Sequence, residues 1–324
     1  MDSQALQSQV VGDVNLKDDE DICSICFEPL DEGPTQTLDC NHTFHRSCMK
    51  VFRKKGVCQK CPMCRGALPP SQEVMLVDAF HKFKQIESRL AYGGPLTRRE
   101  RRQMNEVVEL WEEAAEDENS CEQYYMAVLY YKGCFLEQNY TKAAEWFTKS
   151  AEQGDFRAQY YLGSMYYMGF GVKLDIKKAI EWLKKSTEYG NIITSWIILG
   201  RIYYHGYGVR TNYKEAFKWY EKPAVDADNA EAQDVLGTMF YCGWGVKKNH
   251  RTAYKWFKKG ANNGDSNAQF NIGEMYYHGK YVKQNDATAI HWLEKAVEQG
   301  HENAKNTLNR IIAKQKKQTK TNVD

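Results

Sequence analysis

What this 324-residue sequence lacks narrows what it can be. No apolar stretch approaches the roughly 18 residues needed to cross a bilayer; Trp196-Ile197-Ile198-Leu199 is among the longest. The first residues, Met1-Asp2-Ser3-Gln4, carry neither a basic stretch nor an apolar one, so no secretory leader is read there. Neither sign of charge is in excess. The 44 Lys and Arg against 42 Asp and Glu leave a net charge of +2, which gives no drive toward nucleic acid or membrane surfaces. Cysteine is scarce outside one window: seven of ten fall between Cys23 and Cys64, and Cys121, Cys134 and Cys242 are scattered behind. A disulfide framework suits a small secreted chain, which this is not. The 42 % hydrophobic and 27 % charged content is that of a water-soluble protein with room for two or three domains. The expectation is a protein of a reducing compartment, cytoplasmic or nuclear, with no membrane and no nucleic-acid partner.

The cysteine window is the sharpest positive signal. It reads Cys23-x2-Cys26, thirteen residues, Cys40-x-His42-x2-His45-x2-Cys48, twelve residues, then Cys61-x2-Cys64. Two-residue gaps let paired thiolates turn back onto one ion, and eight such donors fill two closed tetrahedral zinc sites. A segment of about 45 residues buries too little apolar surface to fold alone, so metal binding supplies most of its folding free energy. Closed sites leave no position for an activated water, so these two zinc ions are structural, not hydrolytic. Cys58-x2-Cys61 is a further pair with the right gap, and spacing alone leaves Cys58 a competing donor.

The strings Cys23-Ser24-Ile25-Cys26, Cys40-Asn41-His42-Thr43-Phe44-His45-Arg46-Ser47-Cys48 and Cys61-Pro62-Met63-Cys64-Arg65 resemble one class of RING fingers. In that class the ligands run three cysteines, two histidines, three cysteines. The resemblance covers about residues 22–68; PHD fingers, with one histidine placed later, do not fit. It implies a cross-braced fold with Cys23, Cys26, His45 and Cys48 on one zinc and Cys40, His42, Cys61 and Cys64 on the other. The proline and arginine at the last pair favour Cys61 and Cys64 and leave Cys58 a spare thiol. RING fingers of this kind act as ubiquitin ligases without a nucleophile of their own. They hold a ubiquitin-charged conjugating enzyme and restrict its thioester to a reactive geometry, which is catalysis by positioning. By that resemblance Ile25, Phe52 (where many members have tryptophan) and Pro62 form the conjugating-enzyme groove. Arg65 stands where active members often carry a cation bridging enzyme and ubiquitin, a task suited to the guanidinium fork.

The second signal is repetition. Trp146, Trp182, Trp219, Trp256 and Trp292 stand 36, 37, 37 and 36 residues apart, and Gly133, Gly169, Gly206, Gly243 and Gly279 keep the same steps. Aromatic pairs from Tyr130-Tyr131 to Tyr276-Tyr277 do likewise. Within one unit Ala158, Leu162, Met165 and Tyr166 mark one helical face and Ala179, Trp182 and Leu183 another. Each unit is a helical hairpin that cannot bury its apolar face alone, so the units stack into a solenoid whose repeating aromatics are mostly core. The pattern resembles the Sel-1-like repeats, relatives of the tetratricopeptide repeats, over about residues 105–315, with half a unit around Trp111. The resemblance implies a protein-binding surface. In the third unit Pro223 should bend or shorten the second helix, and Asp228 replaces the closing glycine seen as Gly190, Gly264 and Gly300.

Between the two signals, Leu76, Val77, Phe80, Phe83, Ile86 and Leu90 recur at the spacing of an amphipathic helix, and Thr97 with Glu100 reads as a capping box. Arg98-Arg99-Glu100-Arg101-Arg102 reads as a solvated helix face, and His205, His250, His278 and His291 lack metal spacing. The expected fold class is multi-domain: a small zinc-stapled α+β RING followed by an all-α solenoid. Its parts are a disordered stretch at 1–20, the finger at 21–68, a helical linker at 71–104, the solenoid at 105–315 and a basic tail at 316–324. The expected function is that of a RING-type ubiquitin transferase whose solenoid binds a protein substrate or adaptor. The alternatives are a non-catalytic zinc-containing interaction scaffold and a zinc-dependent nucleic-acid binder, the latter disfavoured by near-neutral charge and no aromatic-basic interleaving.

Overall fold

The computed structural model of the chain describes residues 35–37, 43–45, 72–91, 95–116, 118–133, 135–190 and 192–321. The stretch 1–20, expected to be disordered, and most of 21–68 lie outside those residues. The chain divides into two units, Met1–Leu110 and Trp111–Asp324.

In the first unit, strands β1 (Thr35–Thr37) and β2 (Thr43–His45) pair antiparallel. Helix α1 (Gln72–Ala91) precedes α2 (Arg98–Glu116), which runs on past the boundary between the units. Along α1 Ala79, Phe83 and Ile86 are buried, with Leu76, Phe80 and Leu90 half-buried. Val77, expected on that face, is 57 % exposed. At 100° per residue it lies about 120° round the helix from Phe83, off the stripe that Ala79 completes. The capping box forms as expected. The Thr97 N–H donates to Glu100 Oε2 at 2.8 Å, and the Glu100 N–H donates to Thr97 Oγ1 at 3.2 Å. Arg89 from α1 donates to the same carboxylate. The four arginines at 98–102 are exposed, as a solvated face requires.

The second unit is a stack of helical hairpins. They pair α3 (Ser120–Lys132) with α4 (Tyr140–Glu152), α5 (Phe156–Met168) with α6 (Ile176–Tyr189), and α7 (Ile193–His205) with α8 (Tyr213–Asp226). Then come α9 (Ala230–Cys242) with α10 (His250–Asn262), α11 (Ser266–His278) with α12 (Asp286–Glu298), and a closing α13 (Glu302–Thr321). The five phased glycines end the first helices: Gly133, Gly169, Gly206, Gly243 and Gly279 have φ between 62° and 81°, a left-handed cap that costs glycine nothing. Asn139, Asp175, Asn212, Asn249 and Asn285 start the second helices, each side chain accepting the backbone N–H three residues on at 3.0–3.1 Å. No described helix is long and apolar enough to cross a membrane.

Close approach of the paired helices depends on glycine. A Cβ on Gly163, Gly200, Gly237 or Gly273 would fall 2.5–2.9 Å from Leu183, Tyr220, Phe257 or Leu293. Those partners are the deep core. Phe147, Leu183, Tyr220, Phe257 and Leu293 are at most 2 % exposed, whereas the phased tryptophans one residue before them are only half-buried. Four of these indoles are covered by the lysine three residues on: Lys149 over Trp146 and Lys185 over Trp182 at 4.2 Å, Lys295 over Trp292 at 4.8 Å and Lys259 over Trp256 at 5.9 Å.

One expectation for the third hairpin needs correction. Helix α8 is not shortened at Pro223: its 14 residues run through to Asp226. The proline is buried at the position where Ser150, Ser186, Gly260 and Ala296 stand, so packing of a small side chain outweighs one missing hydrogen bond. Asp228 does adopt the left-handed conformation of a closing glycine, at φ 48°. It is Gly190 that departs, extended at φ −112°; a side chain there would meet Phe156, whose Cδ2 lies 2.3 Å from where its Cβ would be.

Candidate functional site

The described part of the finger is the strand pair. Thr35 opposes His45, Gln36 opposes Phe44 and Thr37 opposes Thr43, and the two threonine hydroxyls of the last pair hydrogen-bond at 2.8 Å. Successive strand residues point to opposite faces, yet Phe44 is fully buried and His45 only 8 % exposed. A buried imidazole fits a metal ligand, whose ring must be held and oriented. The other donors, Cys23, Cys26, Cys40, His42, Cys48, Cys61 and Cys64, lie outside the described residues, as do Ile25, Phe52, Cys58, Pro62 and Arg65. Among the described residues no three His, Cys, Asp or Glu side chains gather around a point. His205, His278 and His291 are exposed, and His250 packs edge-on against Tyr241 at 4.8 Å. Burial pushes the Cys121 and Cys242 thiols up, away from the thiolate that reactivity requires.

The solenoid holds polar ties that the sequence reading missed. Gln123, Gln159, Gln233 and Gln269 each donate from the first helix of a hairpin to a carbonyl of the helix before it, those of Ala115, Ala151, Ala224 and Ala261, at 2.9–3.3 Å. Three of their own carbonyls are used in turn: Gln153, Asn263 and Gln299 donate to Gln123, Gln233 and Gln269 at 2.8–2.9 Å, while Gln159 Oε1 is buried with no partner among the described residues. The signal was available in the recurrent Ala-Gln at the start of the first helices. In the third hairpin Trp196 takes the glutamine's place and packs against Trp219 at 5.1 Å.

Neighbouring first helices are also clasped directly. The Arg201 fork donates to both oxygens of Glu231 at 2.7 and 2.6 Å, and Asn271 donates to Asp234 at 2.8 Å. Asp234 is 8 % exposed, and its burial, with Asp265 nearby, pushes the carboxyl up to about 7. At the start of α5, Arg157 donates to Asp155 at 2.6 Å and covers the Tyr124 ring at 4.2 Å.

The left-handed cap, the hairpin and the close-packed glycine, recurring every 36 or 37 residues, find their match among known proteins. The Sel1 repeat family matches at residues 123–155, 156–191, 197–222, 230–265 and 266–301, just over half of the chain. This chain belongs to the Sel1 repeat family. Two solved Sel1-type structures share the fold. One is c5321 of uropathogenic Escherichia coli, a protective antigen displaying an SLR fold: 26 % identity, TM-score 0.63, 82 % of this chain and 51 % of that one. The other is a Sel1 repeat protein from Oxalobacter formigenes: 25 % identity, TM-score 0.58, 68 % of this chain and 84 % of that one. Ahead of the Sel1 repeats, a Ring finger domain matches residues 21–65, a domain that implies zinc.

Curated relatives resemble this Sel1 repeat protein over the RING finger alone. The probable E3 ubiquitin-protein ligase RHB1A of Arabidopsis thaliana is 42 % identical over 50 residues, 15 % of this chain and 25 % of that protein. The E3 ubiquitin protein ligase RIN3 of Arabidopsis thaliana is 38 % identical over 55 residues, 16 % of this chain and 9 % of that protein. The E3 ubiquitin ligase TRIM40 of Mus musculus is 37 % identical over 67 residues, 20 % of this chain and 25 % of that protein. The chain therefore spans a quarter or less of the length of these curated relatives.

Proposed function

We propose that this Sel1 repeat protein is a RING-type ubiquitin-protein ligase acting in the cytoplasm. The observation that carries the reading is the RING finger match at 21–65 together with ligase relatives whose likeness is confined to that finger. Cys23, Cys26, His45 and Cys48 hold one zinc ion, and Cys40, His42, Cys61 and Cys64 the other. Zinc, when bound, supplies folding free energy and no activated water. Ile25, Phe52 and Pro62 offer an apolar groove to a ubiquitin-charged conjugating enzyme. The Arg65 fork donates hydrogen bonds where enzyme and ubiquitin meet and narrows the thioester's conformations, so the rate gain is one of orientation. The solenoid, taken as 105–315 after the finger at 21–68 and the helical linker at 71–104, holds a protein substrate or adaptor.

The test is autoubiquitination with activating enzyme, ubiquitin, ATP and a panel of conjugating enzymes, beside Ile25→Ala and Arg65→Ala. Chains that form with the unaltered protein and fade in both variants are expected, with two zinc ions per chain by elemental analysis. Two zincs bound and no response from any conjugating enzyme would sink the ligase reading and leave a non-catalytic interaction scaffold.

A further inference from the structure

The loops that join the two helices of each hairpin carry a pattern the ligase reading leaves unused. Lys173, Arg210, Lys247 and Lys283 recur at steps of 37, 37 and 36 residues, and all four are exposed. Four residues after the first three, in the opening turns of α6, α8 and α10, stand Lys177, Lys214 and Arg251, exposed as well. A helix macrodipole disfavours cations at its N-terminus; α6 has only the capping Asp175 to offset them, and α10 has no acidic residue in its cap or first turn. Helix stability therefore does not explain why the cations are there.

Nor are they neutralised locally. Among the described residues none of these cations forms an ion pair. The acids on this edge are engaged elsewhere. Asp175 caps α6 by accepting the Lys178 N–H, Glu215 pairs with Lys218 at 2.6 Å and Asp286 with Lys314 at 3.9 Å. In the first hairpin the equivalent position is Glu137, so the basic row begins at the second.

An aromatic ring stands three residues before each of the first three loop cations. Phe170, Tyr207 and Trp244 are 39 %, 47 % and 37 % exposed. Each is backed by another ring: Phe170 stacks on Tyr140 at 5.2 Å, Trp244 on Tyr213 at 5.1 Å and Tyr207 on His205 at 5.1 Å. One face of every ring is thus backed and the other left open, which makes each a firm apolar ledge.

Spacing selects among anionic partners. The loop glycines Gly171, Gly208 and Gly245 lie against the preceding hairpin at Tyr140, Ile176 and Tyr213, where its second helix begins, so successive loops follow one another at roughly the 8–10 Å of packed helices. A polypeptide in the polyproline II conformation advances about 9 Å per three-residue turn and returns every third side chain to one face. We infer that this loop edge docks an extended acidic polypeptide segment bearing a carboxylate at about every third residue, with its apolar parts on Phe170, Tyr207 and Trp244. The inference rests on the substrate-binding half of the ligase reading and gives it a substrate class.

Fluorescence anisotropy on the full zinc-loaded chain tests it. The probe is a labelled 15-residue peptide with glutamate at every third position, beside an isomer with its glutamates contiguous and a 12-mer of uridine. The phased peptide should bind tightest and weaken tenfold or more in Lys173→Glu/Arg210→Glu/Lys247→Glu. It should weaken several-fold in Phe170→Ala/Trp244→Ala and hold in Lys149→Glu/Lys185→Glu/Lys295→Glu, an equal charge reversal on the tryptophan-covering lysines. If the first triple variant melts early, Lys173→Gln/Arg210→Gln/Lys247→Gln should give the same loss in smaller measure. Equal weakening by both reversals, no preference for the phased peptide, or tighter binding of the uridine oligomer would each overturn the inference. Peptide binding needs no conjugating enzyme, so its failure and a silent autoubiquitination assay remain separate results.

Discussion

Asp234→Asn should make the solenoid more stable at pH 8 and leave it nearly unchanged at pH 4. The carboxyl lies inside the stack, takes one hydrogen bond from Asn271, and is pushed from an ordinary 3.8 up to about 7. At 1.36 kcal/mol per pKa unit, that burial costs the ionised form about 4 kcal/mol. The sign follows from proton binding: between 3.8 and about 7 the folded chain holds a proton that the unfolded chain has lost. Asp234 therefore withdraws stability as pH rises through that window, with the full cost reached above it. Asparagine copies the shape of the protonated acid and can still accept from Asn271, so it removes the charge and keeps the contact. For a folding unit near 200 residues, about 4 kcal/mol corresponds to a rise in Tm of about 10 °C. All eight tryptophans lie between Trp111 and Trp292, so indole fluorescence follows the solenoid alone, even at a pH that strips zinc from the finger. A variant that melts earlier than the parent at pH 8, or shifts equally at both pH values, would refute burial as the origin of the effect.

Gly237→Ala should cost about 1–3 kcal/mol, read as an earlier thermal transition, because its Cβ would sit 2.5 Å from Phe257 Cδ1. Gln269→Leu removes one hydrogen bond from the Ala261 carbonyl and one from the Gln299 amide, which keep their bonds to Gly264, for a loss of about 1 kcal/mol in chemical denaturation. Thr97→Ala removes the cap on α2 and should cost about 1 kcal/mol, seen as faster amide exchange in its first turn; unchanged exchange there would count against the capping box.

The parts of this protein that are local in sequence were the parts legible from it. The phased glycines and the Thr97–Glu100 box each act within a few residues, so order along the chain announces them; the asparagine caps, equally local, were not read. The finger was legible for a different reason: two-residue gaps between thiolates are a local geometric demand, and the ring finger match covers the same stretch. The tryptophans misled slightly, because their regular spacing drew the eye to a half-covered face while the adjacent Phe147, Leu183 and Phe257 fill the core. What stayed hidden is what stacking creates. Lys173, Arg210 and Lys247 are far apart along the chain, and only the piling of hairpins sets them in a row with Phe170, Tyr207 and Trp244. Each aromatic stands three residues before its cation in the sequence, but the row they form exists only across the repeats. Likewise Asp234 is one polar letter in a helix until Asp265 and Asn271 of the next hairpin close over it.

Trp196 in the glutamine's place has a consequence for how the molecule comes apart. Repeat proteins hold together by nearest-neighbour couplings, so the weakest coupling sets where a partly unfolded form divides. Every other hairpin from the first to the fifth is tied to the preceding helix by a glutamine donating to its backbone. The α6–α7 junction has a serine pair instead, Ser186 to Ser195 at 2.8 Å, and Ile192 starts α7 without a side-chain cap. The Trp196 and Trp219 indole N–H groups are buried there with no hydrogen-bond partner among the described residues. That junction is where a partly unfolded form would divide, hairpins one and two on one side and hairpins three to five on the other. The loop-edge cations fall on both sides of that seam, Lys173 before it and Arg210 and Lys247 after it, so a ligand laid along the row would act as a splint across the joint.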